Sequence, residues 1–495
     1  MKAPYFIILA SALFFSGCIK TSSWFEPKDK SDEPPTELVA VDLGLPSGTQ
    51  WASQNLLASN QWDLGGKFAW GETHIKDSNV YSFLVDNALT AYNSDERFGP
   101  VDNRFILEPE DDAATIILGD GWRMPTRWDF EELLENCTVN GTTVKGGPEG
   151  YMYVLTFTSN INSKSILLPC STNHAWSIFG TFGAVPQDLK YWTNCVSSGR
   201  DAQAFYPDTQ SLVDIGRSNG LFIRPVLAGR TPVESISTEQ TSLSLPPGAN
   251  NQIIVDFTPL GALDKRLVWQ SSDETVAYID NDLDKDKRGM ITALYPGASH
   301  ITAVSPSSGL RIEADVTVTD YVVPRLVDMG LPSGTLWSDR ALGAVEVDDL
   351  GQPFAWGSTH PQLSFCNTRG GNVGWKSEND NLAPEEDAAR VILGEGWRTP
   401  SMDDFTELVN NCRVKYDDIN YKVLVLTSKI NGNSLRFPCL YTVIFYWTSR
   451  HQGDDGKSVA ARPPYPSEDD NATLKPSFKS FPREVGWAIR PVFSN

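Results

Sequence analysis

The sequence predicts a multidomain protein in which two α+β domains of common origin flank an all-β sandwich. Three observations carry this. The stretch Leu107–Val139 returns at Leu382–Val414 with 20 of 33 positions identical and no gap, the mark of a duplicated domain. Between the copies, Thr231–Asp320 changes to short runs of alternating apolar and polar residues separated by turn signals. A chain of 495 residues also exceeds what one hydrophobic core organises.

The chain opens with Lys2 and then an apolar run from Ala3 to Phe15, too short to span a bilayer and suited to a signal sequence. The run ends at Ser16-Gly17-Cys18. This resembles the lipobox of bacterial lipoproteins, with Phe15 standing where that family has leucine; the resemblance implies acylation at Cys18. The other reading is an ordinary signal sequence with an incidental cysteine. Residues 1–18 are therefore read as the leader. Residues 19–38, charged and with three prolines, are read as an extended tether reaching about 60–70 Å. Its acidic cluster resembles surface-export signals of lipoproteins, and a plain solvated linker reads equally well.

The first repeat is placed at 39–230 and the second at 321–495. Leu45-Pro46-Ser47-Gly48 and Leu331-Pro332-Ser333-Gly334 read as tight turns, proline presetting φ and glycine taking positive φ. Phe68–His74 reads as a short strand ending in a turn. The duplicated stretch reads as two helices around a turn. Pro109 starts the first, with Glu110, Asp111 and Asp112 in its opening turn; Ala113, Ala114, Ile117 and Leu118 form its apolar face, and Gly119 stops it. Thr126 and Asp129, or Ser401 and Asp404, form a capping box on the second. Strand-like runs follow at Tyr151–Thr158, Ser165–Pro169, Tyr191–Ser197 and Leu221–Val226, giving an α+β order.

Seven runs over 231–320 read as a β-sandwich, with Trp269 as its core aromatic. The words Val268-Trp269-Gln270-Ser271-Ser272-Asp273, Val276–Asp280 and Ile291–Ala298 resemble the group 2 bacterial immunoglobulin-like domain. The words shared by the flanking repeats are Asp-Leu-Gly-Leu-Pro-Ser-Gly-Thr from Asp42, Phe68-Ala69-Trp70-Gly71, Gly121-Trp122-Arg123-Met124-Pro125-Thr126, Tyr191-Trp192-Thr193 and Arg224-Pro225-Val226. They resemble the Fibrobacter succinogenes major paralogous domain, found in secreted and lipid-anchored proteins. Through that family they resemble the C-type-lectin-like fold of formylglycine-generating enzymes. The resemblance implies two C-type-lectin-like domains and a recognition role.

A net charge of −21 argues against nucleic-acid partners. Among seven cysteines, Cys137 matches Cys412 and Cys170 matches Cys439. Cys137–Cys170 and Cys412–Cys439 disulfides, each stabilising by about 3–4 kcal/mol, stand beside the reading of buried free thiols. Cys195 and Cys366 have no counterparts. The late redox cysteines of formylglycine-generating enzymes are missing from 201–230 and 453–495, and no hydrolase, P-loop or dinucleotide word occurs.

His74 and His360 match but lack a nucleophile or a ligand set. Glu110–Asp112 and Glu385–Asp387 read as calcium ligands or, equally, as helix-start acids. Trp122-Arg123 and Trp397-Arg398 are read as structural, each arginine stacked on its tryptophan and paired with Glu132 or Glu407. Trp176, Trp192, Trp375 and Trp447, with Tyr191 and Tyr446, are the candidate ligand-stacking aromatics. The expectation is a non-enzymatic, cofactor-free, metal-free monomer, lipid-anchored in the outer membrane and facing the cell surface. It would recognise a glycan or an extracellular protein, or serve as a structural surface component; an enzyme of the formylglycine-generating type is the third reading, which the missing late cysteines disfavour.

Overall fold

The computed structural model describes residues 36–494 apart from 77–80, 87, 146–150, 173–186, 282–287, 364–380, 418–422, 439–444, 453–456 and 463–474. The leader with Cys18, the tether up to residue 35, and Trp176, Trp375, Cys366 and Cys439 lie outside the described residues. The chain divides into two compact units: Met1–Thr231 with Pro259–Leu263, and Pro232–Thr258 with Asp264–Asn495. The architecture is mostly β-sheet with few helices. No helix among the described residues is long and apolar enough to cross a membrane.

Each repeat is built around a small antiparallel sheet that joins its beginning to its end. In the first, Ala40–Val41, Gln50–Ala52, Val226–Leu227 and Trp122–Arg123 lie side by side in that order, with Trp51 opposite Val226 and Val226 opposite Arg123. In the second, Leu326–Val327, Leu336–Ser338, Val492–Phe493 and Trp397–Arg398 repeat the order, and Trp337, Val492 and Arg398 repeat the register. The closing Arg-Pro-Val word is thus the strand that seals the domain. Gly48 and Gly334 take φ of 76° and 75°, and each donates its N–H back to Leu45 or Leu331. A side chain with a Cβ would be strained at that φ.

The second helix of each repeat, Arg127–Asn136 or Met402–Asn410, begins with the expected capping box. The first helix is shorter than the sequence reading. Pro109–Asp111 forms a separate 3-10 turn, and Asp112 is the N-cap of Ala113–Leu118 rather than a first-turn acid. Its carboxylate accepts from the N–H groups of Ala114 and Thr115, which takes those donors before the helix begins. Over Phe68–His74 the expected turn is present, but the strand before it shrinks to a single bridge from Phe68 to Leu221.

Two further sheets are common to both repeats. Cys137–Lys145, Tyr151–Ser159 and Ser165–Thr172 correspond to Cys412–Tyr416, Val423–Ser428 and Ser434–Pro438. Tyr191–Val196, Asp201–Tyr206 and Ser211–Gly216 correspond to Tyr446–Gln452, Lys457–Arg462 and Ser477–Pro482. The leading strand of both triplets breaks register after its tryptophan, Trp192 or Trp447. The core of the first repeat gathers Trp51, Phe130, Phe157, Tyr191 and Phe205; that of the second gathers Trp337, Phe405, Phe437, Tyr446 and Trp447.

The intervening segment forms nine short strands among the described residues where the sequence suggested seven. The run Ile253–Phe257 is broken between Asn250–Gln252 and Asp256–Thr258, which join different sheets. The longest pair, Gly297–Val304 with Arg311–Val318, alternates cleanly between buried and exposed along Arg311–Val318. Trp269 is buried, as expected of a core aromatic.

This sandwich packs against the second repeat. Within its compact unit, the buried Gln352 of the second repeat donates Nε2–H to the Leu294 carbonyl at 2.8 Å. The His360 ring lies 4.6 Å from that of Tyr295.

Candidate functional site

The duplicated Trp-Arg word proves to be a node of buried charge. Arg123 sits on its short strand with its side chain 1% exposed and meets Asp129 by two parallel bonds, Nη1 to Oδ2 at 2.7 Å and Nη2 to Oδ1 at 3.1 Å. Asp129 is also the third residue of the capping box, accepting from the Thr126 N–H and hydroxyl, and it accepts from Thr49 Oγ1. Burial works to raise this carboxyl, but Arg123 and Thr126 outweigh it and hold the carboxyl below the usual carboxylate range. The second repeat repeats the node with Arg398 and Asp404, at 2.6 and 3.0 Å.

Two expectations are corrected here. The arginine's partner is Asp129 or Asp404, not Glu132 or Glu407. Both carboxylate oxygens of each glutamate are taken up by the Leu-Pro-Ser-Gly turn, and the capping-box aspartate presents its carboxylate to the arginine instead. Neither arginine lies over the ring of its neighbouring tryptophan: the contacts of Arg123 run to Asp129 and the Met124 carbonyl, and Trp397 packs edge-on to Phe493. Glu132 and Glu407 instead clasp the Leu-Pro-Ser-Gly turn, accepting from the N–H and hydroxyl of Ser47 or Ser333.

A second node lies beside the first. Asp112 accepts from the Met124 N–H as well as its own helix, and from Arg230 Nη2 at 2.8 Å. In the second repeat Asp387 accepts from Ala389, the Thr399 N–H and the Thr399 hydroxyl. These partners make Asp112 and Asp387 helix-start acids. Among the described residues no cluster of His, Cys, Asp and Glu is arranged to hold a metal ion.

A third element needs no carboxylate. Arg224 and Arg490, both fully buried, donate to main-chain carbonyls of the opening segment. Arg224 reaches Ala52 O, Leu167 O and the Asn55 side chain; Arg490 reaches Ser338 O and Asp339 O. Burial pushes both guanidinium groups down to about 10, which leaves them cationic at neutral pH.

The described ligand-stacking candidates are core residues. Trp192 and Trp447 are 0% and 1% exposed, and Tyr191 and Tyr446 are fully buried. The indole N–H of Trp192 donates to Phe68 O at 2.8 Å and that of Trp447 to Phe354 O at 2.7 Å. In return Trp70 and Trp356 donate to Thr193 O and Thr448 O. The Phe-Ala-Trp-Gly and Tyr-Trp-Thr words are therefore halves of one interlock, and a ring enclosed this way cannot stack on a ligand.

Cys137 and Cys170 are separate buried thiols. They lie two strands apart and at opposite ends of the sheet: Cys137 pairs with Ser159, whereas Pro169 pairs with Val154. Five residues along a strand and two strands across amount to about 17 and 10 Å, far outside disulfide reach. Burial pushes the Cys137 thiol up to about 11 and that of Cys412, also free, up to about 12. His74 and His360 are exposed.

The sequence reading missed one surface. The outer face of Cys412–Tyr416, Val423–Ser428 and Ser434–Pro438 carries a shallow hollow of about 510 Å³, bordered by Arg413, Lys415, Asp417, Thr427 and Arg436. Cross-strand register sets Lys415, Val425 and Arg436 in one row and Arg413, Thr427 and Ser434 in the next. Arg436 is bound by Asp348 and Asp417, which raise its guanidinium further. Arg413 and Lys415 are exposed. The alternation Arg413-Val414-Lys415 at the end of the duplicated stretch is the signal that could have found this face.

Comparison with known proteins places one part of the chain. Residues 232–313 match the bacterial Ig-like domain (group 2), and this match does not extend to the two repeats. No curated protein matches the chain. Among solved structures, S-layer protein SbsC domains 4 and 5 align at 12% identity over 37% of this chain and 99% of that one, with a TM-score of 0.16. SbsC domains 5–6 align at 12% identity over 50% of this chain and 96% of that one, at 0.15. Scores this low define no shared fold. The class established is a mostly β-sheet, multidomain protein containing a bacterial Ig-like domain.

Proposed function

We propose that this chain is a cell-surface lipoprotein, acylated at Cys18 and held in the outer membrane. Its two C-type-lectin-like repeats of the Fibrobacter paralogous family act as monomeric, non-catalytic recognition or adhesion modules. The observation that carries the reading is the contrast between interior and face in the two repeats. The same arginines hold the fold in both, through Arg123–Asp129 and Arg398–Asp404 and through Arg224 and Arg490. Their sheet faces differ: Arg413, Lys415 and Arg436 in one stand where Thr138, Asn140 and Leu167 stand in the other. With the frame held by its interior, the exposed face is free to carry a site of its own, and the cations of the second repeat are what support recognition there.

The Gln352–Leu294 and Tyr295–His360 contacts support a second reading, a stiff structural surface component. The test is to screen the full chain, without lipid, against arrayed glycans and extracellular-matrix proteins. Specific binding that survives moderate salt is expected. Silence at high micromolar concentration would favour the structural reading.

A further inference from the structure

We infer that the outer face of the three-stranded sheet Cys412–Tyr416, Val423–Ser428 and Ser434–Pro438 binds an anionic polysaccharide bearing carboxylate or sulfate groups. This deepens the recognition reading above and rests on it.

Arg413 and Lys415 alternate on one strand, so both project from the same face about 7 Å apart. Neither makes an ion pair among the described residues, and both are exposed. Two strands away, Arg436 stands in the row of Lys415, about 10 Å from it. Its pairing with Asp348 and Asp417 fixes its guanidinium in place; the one carboxylate in excess leaves this face with a net charge of +1, carried outward by the unpaired Arg413 and Lys415. Between the cations lie the hydroxyls of Thr427 and Ser434, 2.9 Å apart, and the Asp417 carboxylate, which supply donors and acceptors for sugar hydroxyls.

The form of the hollow selects the ligand class. It is shallow, and its apolar lining is Val425 and the half-buried Tyr416 alone, so it lacks the enclosing apolar walls of a small-molecule site. Affinity for a duplex comes from neutralising many phosphates along its backbone, and two free cations reach few of them. An extended chain with anions spaced along it suits cations spaced along and across a sheet. The overall charge of −21 does not cancel this, because charges beyond about 8 Å are screened at physiological salt. The first repeat has Thr138, Asn140 and Leu167 at these positions and presents no such charge.

The test uses the full chain without lipid and titrates three probes: a heparin hexasaccharide, an oligogalacturonate and poly-glutamate. Arg413→Glu/Lys415→Glu is the variant, and Thr138→Ala/Asn140→Ala in the first repeat is the control. Both alter exposed strand positions that leave the core untouched. The expected result is binding of at least one saccharide probe, lost about tenfold or more in the charge-reversed variant at unchanged melting temperature, and unaffected in the control. Sulfate preference and carboxylate preference are read from the two saccharides. Equal binding by the charge-reversed variant would overturn the proposal, as would poly-glutamate binding as tightly as either saccharide. If the array screen finds a neutral glycan bound while both saccharide probes here are not, this site fails and the recognition reading stands; if neither experiment finds binding, both fail.

Discussion

The two repeats hold the same arginine–aspartate node in different surroundings. In the first, Arg123 and Asp129 are 1% and 6% exposed, and Arg123 Nε has no partner. In the second, Arg398 is 34% exposed, and its Nε donates to Ser494 Oγ at 3.2 Å. The residue matching Ser494 is Ala228, since both donate a main-chain N–H to the glycine before the Trp-Arg strand. A similar exchange occurs at the neighbouring node, where the Thr399 hydroxyl does for Asp387 what Arg230 does for Asp112. One frame can therefore be satisfied by different side chains, provided each buried charge keeps its donors. The sheet face outside the frame carries no such requirement and is where the copies diverge.

The largest effect should come from breaking the node. Arg123→Ala leaves a buried carboxylate unpaired and should cost about 3–5 kcal/mol. Its unit should then melt about 10 °C or more lower. Arg398→Ala, at a wetter site, should cost about 1–3 kcal/mol. Differential scanning calorimetry of the two variants measures the ratio; equal losses would show that burial does not distinguish the nodes.

Acid should separate them next. The Asp129 and Asp404 carboxyls are both below their unfolded values, so the stability they contribute is present above the unfolded carboxylate pKa, about 3.9. It is lost as pH falls through the folded pKa. Arg123→Met should flatten this acid limb for the first unit and leave that of the second intact. Acid unfolding followed by tryptophan fluorescence checks it, and an unchanged limb would remove Asp129 as its source.

The smallest effect is a gain. Ala228→Ser offers Arg123 Nε the acceptor that Ser494 gives Arg398, and should stabilise by about 1 kcal/mol, or roughly 2–4 °C. No gain, or a loss, would mean that the added hydroxyl cannot reach the guanidinium in the tighter first repeat.

Much of the frame can be read from the chain because it is local or periodic. The Thr126–Asp129 and Ser401–Asp404 boxes, the Leu-Pro-Ser-Gly turns and the alternating strands of 231–320 depend on neighbours a few residues away, and all are found in the structure. Duplication showed which words matter, and the match of 232–313 to the bacterial Ig-like domain agrees with the words that suggested it.

What the tertiary structure decided is which distant groups meet. Asp129 rather than Glu132 answers Arg123, and Glu132 reaches Ser47 across 85 residues. Trp192 is enclosed, with its indole N–H on Phe68, 124 residues away. Cys137 and Cys170 share a sheet but lie at its opposite ends, and Lys415 and Arg436 share a row. Sequence spacing says which side chains are available. Pairing register and burial, set only once the sheets close, determine which of them form the interior and which are left to face a partner.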